Sequence, residues 1–585
     1  MDKTPEEKDI VHEDIHNRKE VINNKESNEN QNEIENKKIN ENQNEIENKK
    51  INENQNEIKD KKSDKNQIEI SDKEHEELAK KRYLEISDKK RTQIFINVNI
   101  SCIAGIMLQT ALTTALPPII KEFKISVNTG QWLTSGFSLA MSIMIPLSSY
   151  LITRFRTRRL FLTAIILFLT GLTIALFSVN FPMMLAGRLI QACGSGLLSS
   201  MGQVIILTIY PPEKRGSAMG WYGLSVGAAP VIAPTIAGLL ADTVGWRFIF
   251  VVSIAIMVCT LIYTLFVFTD VLPNKMVKFD VFSFILSAFT FGGITLAIGN
   301  FGAYDFISYQ VGMVLLIGIV ASILFIYRQL HSKSPFLDIR VCKNMSYAIA
   351  SITTIAINLI NMGSAVIFPL YFQQVKHKSA TISGLAVLPG SLSLAFISPF
   401  AGKIYDKMGI KILLLFSGIV STLSNLSLFF ITINTNIWVV AIINIARCIA
   451  LGVITMPVIT WGMSKIPASK TTDGSATINS FRIVSGAIGT ALFVSVMTTV
   501  ANAVKDTKNE PQLFGINIVF LIMAVLSFII LLFGIFGCES RSVHKKNKSK
   551  KGKNDIKNSM KELLPPSESS EEINKSGEVE VIIKN

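Results

Sequence analysis

The chain has 585 residues, 49% of them hydrophobic, and a mean hydropathy of +0.38, although its first 90 or so residues are almost wholly polar. Apolar residues are therefore concentrated beyond what a soluble core needs, which excludes an ordinary water-soluble enzyme or binding domain. The net charge of +14 fits an anionic membrane surface better than nucleic acid, and six scattered cysteines without a CxxC pair imply neither a metal site nor a disulfide framework.

Residues 1–91 form a polar tail containing the repeat NENQNEIENKKI from 28 and again from 40, then NENQNEIKDKKS from 52. A composition so rich in Asn, Glu and Lys buries too little apolar surface to offset chain entropy, so the tail is expected to be disordered. After it come fourteen apolar runs of about 20 residues, the length that crosses a bilayer core of about 30 Å. They begin near 92, 130, 159, 183, 217, 247, 281, 310, 346, 381, 411, 437, 475 and 513. Exposed backbone does not survive in hydrocarbon, so each run is expected to be a helix and the fold class all-α, a polytopic membrane protein with fourteen transmembrane helices. No short apolar stretch with a cleavage site precedes residue 92, so the first span is expected to direct insertion.

Span 1 carries MLQTALTTALPPI at 107–119, which sets Gln109, Thr110, Thr113 and Thr114 in an apolar run without any charge. Span 2 opens on Gln131 and Trp132. In span 4, Arg188, Gln191, Ser195, Ser199 and Gln203 recur at steps of three or four and share one face. An arginine there is costly unless it meets water or a partner, so it is either a structural donor to nearby carbonyls or a group at the cavity. Span 5 spaces Gly216 with Gly220 and Gly223 with Gly227 for close helix contact, and sets Pro230 and Pro234 four apart, where they kink the helix or free carbonyls.

Span 9 aligns Thr354, Asn358 and Asn361, which line a wet path or bond a neighbouring helix. Span 12 carries Arg447 and span 13 Arg482, each open to the same two readings as Arg188. The chain ends in a charged tail, 539–585, whose run RSVHKKNKSKKGKN at 541–554 would lie beside anionic lipid headgroups.

The two ends of this series echo each other. Arg188 precedes the Gly216 of a GSA by 28 positions and Arg447 precedes the Gly474 of another by 27, and TRFRTRR after span 2 mirrors GKIYDKMGIK after span 10. The spans thus divide into a six-helix half at 92–268, an inserted pair with its flanking loops at 269–343, and a second six-helix half at 344–538. Duplicated halves around a midplane site are how secondary transporters are commonly built. Seventeen Lys and Arg occupy the loops after even-numbered spans against seven in the others, so both termini are expected on the cytoplasmic side of the plasma membrane.

No G-x-x-x-x-G-K-[ST] occurs, and all six histidines fall in tails or loops, so no cofactor is expected and an ion gradient or the solute's own gradient must drive any transport. The G-x-S-x-G of Gly223, Ser225 and Gly227 lies within a helical run and is no hydrolase elbow.

Several of these stretches resemble the major facilitator superfamily, in its fourteen-helix drug:proton antiporter branch: RLIQACGSG, PPEKRGSAMG, WRFIF at 246–250, PLYFQQV at 369, GLAVLPG at 384, GKIYDKMG at 402 and INSFRIVSGAIGTAL at 478. The resemblance covers about 92–538. It implies that Arg188 is the family's span-4 arginine and that Ala233, Pro234 and Gly238 fall on the antiporter motif of span 5, with Ala replacing its usual first glycine. Two departures stand out. The loop after span 2 normally carries an Asp and a second Gly where this chain has Thr153 and Arg156, while Asp406 is kept in the other half. The acidic position that opens span 1 in many members is Leu108 here, and LQT is most similar to the lincomycin-type exporters.

The resemblance implies a small-molecule substrate moved by alternating access, with protons as the candidate coupling ion. The span cores contain no Asp or Glu; Asp242, Asp280 and Asp406 sit at edges, so coupling falls to an edge carboxylate or travels with the substrate. Arginines without carboxylates should repel permanent cations, whose export against a negative interior costs about 2.3 kcal/mol per 100 mV. The expected cargo is neutral, zwitterionic or anionic. Gln109, Thr110, Thr113, Gln131, Trp132, Gln191, Gln203, Asn358 and Asn361 are the expected cavity residues. Arg188, Pro230, Pro234, Gly238, Asp406, Arg447 and Arg482 are expected to couple the conformations. An importer or facilitator of a metabolite on the same fold, or a non-transporting membrane sensor, are the alternatives.

Overall fold

The computed structural model describes residues 86–272, 274–300, 308–332 and 335–537, with Lys49 besides. The repeat-bearing N-terminal tail and the C-terminal tail from 538 lie outside the described residues, as does the side chain of Pro234. The described chain is all-helical, and fourteen of its helices are long and apolar enough to cross a membrane.

In chain order these are α1 (Asp88–Phe123), α2 (Val127–Arg154), α3 (Thr157–Leu176), α4 (Phe181–Ile209), α5 (Arg215–Thr243) and α6 (Arg247–Val267). An inserted pair follows, α7 (Val281–Asn300) and α8 (Tyr309–His331). The last six are α9 (Met345–Val375), α10 (Ala380–Met408), α11 (Ile410–Phe429), α12 (Ile437–Met463), α13 (Thr471–Ala503) and α14 (Pro511–Phe536).

Their ends follow local chemistry. Ser87, Ser126, Asn180, Asn344, Ser379 and Asn436 each cap a helix start by accepting a backbone N–H. Gly409, at φ 82°, turns α10 directly into α11, a conformation that disfavours a side chain. α1 and α13 begin four residues before their apolar runs, because a helix continues into its polar first turn while hydropathy registers only the apolar part. α5 runs unbroken through Pro230.

Within the first half, Asn97 of α1 donates to Thr264 of α6 at 2.9 Å, and α3 meets α4 through glycine. A Cβ placed on Gly194 would stand 2.7 Å from the Ala164 carbonyl and 2.7 Å from the Phe168 amide. In the second half, Gly418 of α11 abuts Leu531 of α14, and Ser421, Asn425 and Ser527 bond to one another between the same helices. Close approach of small residues and interhelical polar bonds substitute for the hydrophobic drive that lipid does not supply.

The inserted pair is closed by Asp280, which caps α7 and receives Arg328 of α8 at 3.0 Å. Burial acts to raise the Asp280 carboxyl, but the Ser283 hydroxyl and amide and the Arg328 guanidinium hold it below its ordinary value. The pair packs on α2, with Gly292 against Ile143 and Leu139.

Across the halves, α5 faces α10. A side chain on Gly402 would collide with the Gly216 carbonyl, and a Cβ on Gly220 would lie 2.6 Å from the Ser398 carbonyl. This seam lies at the end that carries the basic loops.

Because the atoms facing Gly194 are backbone and cannot swing aside, Gly194→Ala is expected to destabilise the protein by about 1–3 kcal/mol. Gly384→Ala, at a helical position with nothing within 4 Å, should leave stability unchanged or slightly higher. Thermal unfolding of the two purified variants checks the contrast.

Candidate functional site

α1 has two functions along its length. Near its first turns Asn97 is bonded to α6, and Gly105 lies against Ser195 of α4 and Phe168 of α3, so this face is consumed by packing in its own half. The face bearing Thr110, Thr113 and Thr114 is turned away from those contacts. Thr113 and Thr114 are exposed, while Gln109 and Thr110 are half-buried. The Thr110 and Thr113 hydroxyls donate to carbonyls of their own helix, which keeps their oxygens as acceptors. α5 flanks the strip, since a Cβ on Gly238 would lie 3.6 Å from Thr114. Gln131 and Trp132, at the start of α2, are also exposed.

α9 repeats the arrangement. Gln109 stands eight residues before Pro117, and Asn361 eight before Pro369. Asn361 is half-buried, Asn358 donates to the Arg482 carbonyl of α13 at 3.1 Å, and Thr354 is buried and bonded to its own helix.

The arginines occupy the middle of the bundle. Arg188 is 0% exposed; one terminal nitrogen donates to Gln191 at 2.5 Å and the guanidinium lies 4.3 Å from the Phe137 ring centre. Among the described residues its Nε and Nη2 have no hydrogen-bond partner. Arg447 donates through Nε and Nη2 to Asn444 at 3.2 and 2.8 Å and faces Phe368, leaving Nη1 without a partner among the described residues. Arg482 reaches Asn479 at 3.3 Å. A desolvated cation over an aromatic face gains about 2 kcal/mol, which does not offset the several kcal/mol of losing water. The centre is therefore positive and short of acceptors.

Two of the expected cavity residues are engaged elsewhere. Gln191, 0% exposed, holds Arg188, and Gln203, 1% exposed, accepts from Ser475 at 2.8 Å and Asn479 at 3.0 Å of α13. Both brace the inside of the bundle in this conformation, whereas Gln109, Thr110, Thr113, Gln131, Trp132, Asn358 and Asn361 are at least partly accessible.

The basic-loop end is shut. Asp406 of α10 accepts from the Gly216 amide at 2.8 Å, the Ser217 amide at 2.7 Å and the Ser217 hydroxyl at 2.6 Å, all at the start of α5. A carboxylate there also gains from the helix dipole. On the other seam, Ser149 of α2 donates to Asp473 of α13 at 2.5 Å. Asp473 escaped sequence reasoning because it precedes the apolar run. A third carboxylate, Glu122 of α1, accepts from Trp246 at 2.7 Å and Arg247 at 2.5 Å; the WRFIF motif signalled the donors but not the acceptor.

Comparison with known proteins agrees with this architecture. The family signature described as Major Facilitator Superfamily matches residues 98–490. The chain is 36% identical over 444 residues to the uncharacterized MFS-type transporter YcnB of Bacillus subtilis (strain 168), covering 74% of this chain and 93% of that one. It is 35% identical over 422 residues to the lincomycin resistance protein LmrB of the same organism, covering 72% and 88%. Among solved structures, the human organic anion transporter MFSD10 superposes with a TM-score of 0.54 at 13% identity, covering 75% of this chain and 99% of that one. The protein is a multi-pass membrane transporter and belongs to the Major Facilitator Superfamily, in its fourteen-helix drug:proton antiporter branch.

Proposed function

We propose that the protein exports amphipathic small molecules that are neutral, zwitterionic or anionic, through a path between the halves lined by Gln109, Thr110, Thr113, Gln131, Trp132, Asn358 and Asn361. The observation that carries this reading is the central trio Arg188, Arg447 and Arg482, set among amides and hydroxyls with no carboxylate in the span cores. Uncharged groups recognise a neutral solute by hydrogen bonds, and unsatisfied guanidinium nitrogens favour an acceptor-rich one. The lincomycin resistance name of the LmrB relatives supports export of a drug-like cargo.

Placing the basic loops in the cytoplasm, by the Lys and Arg count, makes the shut end cytoplasmic and this conformation outward-facing. Both termini then lie in the cytoplasm, with the basic C-terminal run against anionic headgroups. Pro230, Pro234 and Gly238 sit on the helix that must move between states, and Asp406 steadies the shut one. Protons enter this reading only through carboxylates at helix ends, Asp406 and Asp473, because the span cores supply none.

In cells with and without the protein, accumulation of the neutral antibiotic class should fall and that of ethidium, a permanent cation, should not. An ionophore should cancel the difference. Ethidium efflux as strong as that of the neutral drug would overturn the charge argument.

Arg188→Met should separate stability from transport. Replacing a poorly satisfied buried ion by an apolar side chain of similar length is neutral or stabilising, so the thermal midpoint should hold or rise. Efflux should drop about tenfold or more if the guanidinium binds cargo, as expected from loss of a charged hydrogen bond. A lower midpoint with unchanged efflux per folded molecule would make Arg188 purely structural.

A further inference from the structure

The two seams between the halves are related by pseudo-symmetry but are held shut by carboxylates on opposite sides. Pro146 of α2 and Pro399 of α10 each stand seven residues before Thr153 and Asp406, and three before Ser149 and Gly402. Gly474, Ser475 and Ala476 at the start of α13 answer Gly216, Ser217 and Ala218 at the start of α5. Asp406 reaches across its seam to the amides of Gly216 and Ser217. Its counterpart Thr153 does not cross: its hydroxyl donates to the Ser149 carbonyl of its own helix at 2.9 Å. The carboxylate of this seam sits instead on the opposite helix, as Asp473, and reaches back to the Ser149 hydroxyl at 2.5 Å.

The inserted helix pair is tied to both sides of this same seam. Its entry segment is bonded to the turn after α2: Asp270 accepts from the Arg158 amide at 2.9 Å, the Leu272 amide donates to Thr157 at 3.1 Å, and the Lys275 amide donates to the Thr153 carbonyl at 2.9 Å. Its exit segment is bonded to α13 and the turn before it. Asp338 pairs with Lys470 at 3.0 Å, its backbone amide bonds Asp473, and Asn344 donates to the Lys465 carbonyl at 3.0 Å. Between these ties, Leu147 and Tyr150 of α2 and Ala476 and Val484 of α13 pack into one apolar cluster with Phe291 and Phe336 of the inserted segment. α2 and α13 therefore part only if the inserted segment releases one of them.

We infer that Asp473 is the positioning carboxylate of the second gate, carried on α13 where the pseudo-symmetric gate carries Asp406 on α10, and that the inserted pair holds it in register through Asp338 and Lys470. The gate rests on the reading of the protein as an alternating-access transporter. Asp406 engages backbone amides, which no side-chain substitution removes. Besides the Asp338 amide of the inserted segment, Asp473 receives from α2 the Ser149 hydroxyl, so Ser149 is the point at which this gate can be weakened without touching a charge.

The test uses the full chain in lipid nanodiscs, with hydrogen–deuterium exchange followed at 146–156 and 468–480 and efflux measured in cells. Asp473→Asn and, independently, Ser149→Ala should speed exchange at both segments by about tenfold, the shift expected from loss of one charge-assisted hydrogen bond. Efflux should fall in parallel. Lys470→Gln should act in the same direction. Adding Thr153→Asp to Asp473→Asn places a carboxylate on α2 at the position that Asp406 holds on α10, toward the first turn of α13, and should restore slow exchange and efflux together. Ser149→Ala guards against misfolding of the charge variant, since it removes only an oxygen. Unchanged exchange in both single variants, or no restoration by Thr153→Asp, overturns the assignment. Exchange that responds as expected while the wild-type chain moves no compound supports the gate and defeats the exporter reading instead.

Discussion

The two halves meet backbone against backbone where Gly402 of α10 faces Gly216 and Gly220 of α5. No side chain fits between them, so this end of the bundle is either shut with the helices in contact or open with the whole seam parted. A rigid pair of halves pinned at one end must diverge toward the other, and that is where Thr113, Thr114, Gln131 and Trp132 are exposed. Thus the accessibility of the uncharged strip on α1 and the closure of the Asp406 latch on α10 are two consequences of one contact. The glycines set how close the helices come, and the carboxylate sets how long they stay.

The electrostatics follow a similar division of labour. The carboxylates described above sit at helix ends, where amides, hydroxyls or a cation receive them, and the arginines within the spans, Arg188 and Arg447 above all, are received incompletely by aromatic rings and amides. A buried ion pair in the centre would neutralise the guanidinium groups and fix the helices that carry them. On the proposed reading, leaving Arg188 and Arg447 short of acceptors keeps the centre receptive to a solute that supplies them, at a cost in stability that the surrounding packing must cover. On that proposed reading the same arrangement disfavours a permanent cation before any contact is made.

Much of this was legible in the sequence because bilayer thickness imposes a length on every span, and the fourteen apolar runs need only be counted. The arginines were legible for the same reason, since a charge in such a run is conspicuous. What hydropathy could not show was pairing across helices. Gln203 shares a face with Arg188 and reads as cavity-lining, yet its oxygen is committed to Ser475 and Asn479, residues more than 270 positions away. Asp473 was passed over because it precedes the apolar run by two residues, in a first turn that is helical by hydrogen bonding but polar by composition. Departures from the family pattern were visible as losses, Thr153 for an aspartate, while the compensating carboxylate on another helix required the fold to be found.

That compensation gives the inserted helices a physical role. In a pseudo-symmetric bundle the two seams should part with similar ease, and a loose one would admit lipid or let the halves twist. Here the α5–α10 seam is bare and relies on glycine contact and a three-donor carboxylate. The α2–α13 seam has a carboxylate received across it by one hydroxyl and from the inserted segment by the Asp338 amide, and α7 packs against both of its helices, with the linkers of the inserted pair bonded to both of its sides. The weaker latch lies under the heavier cover.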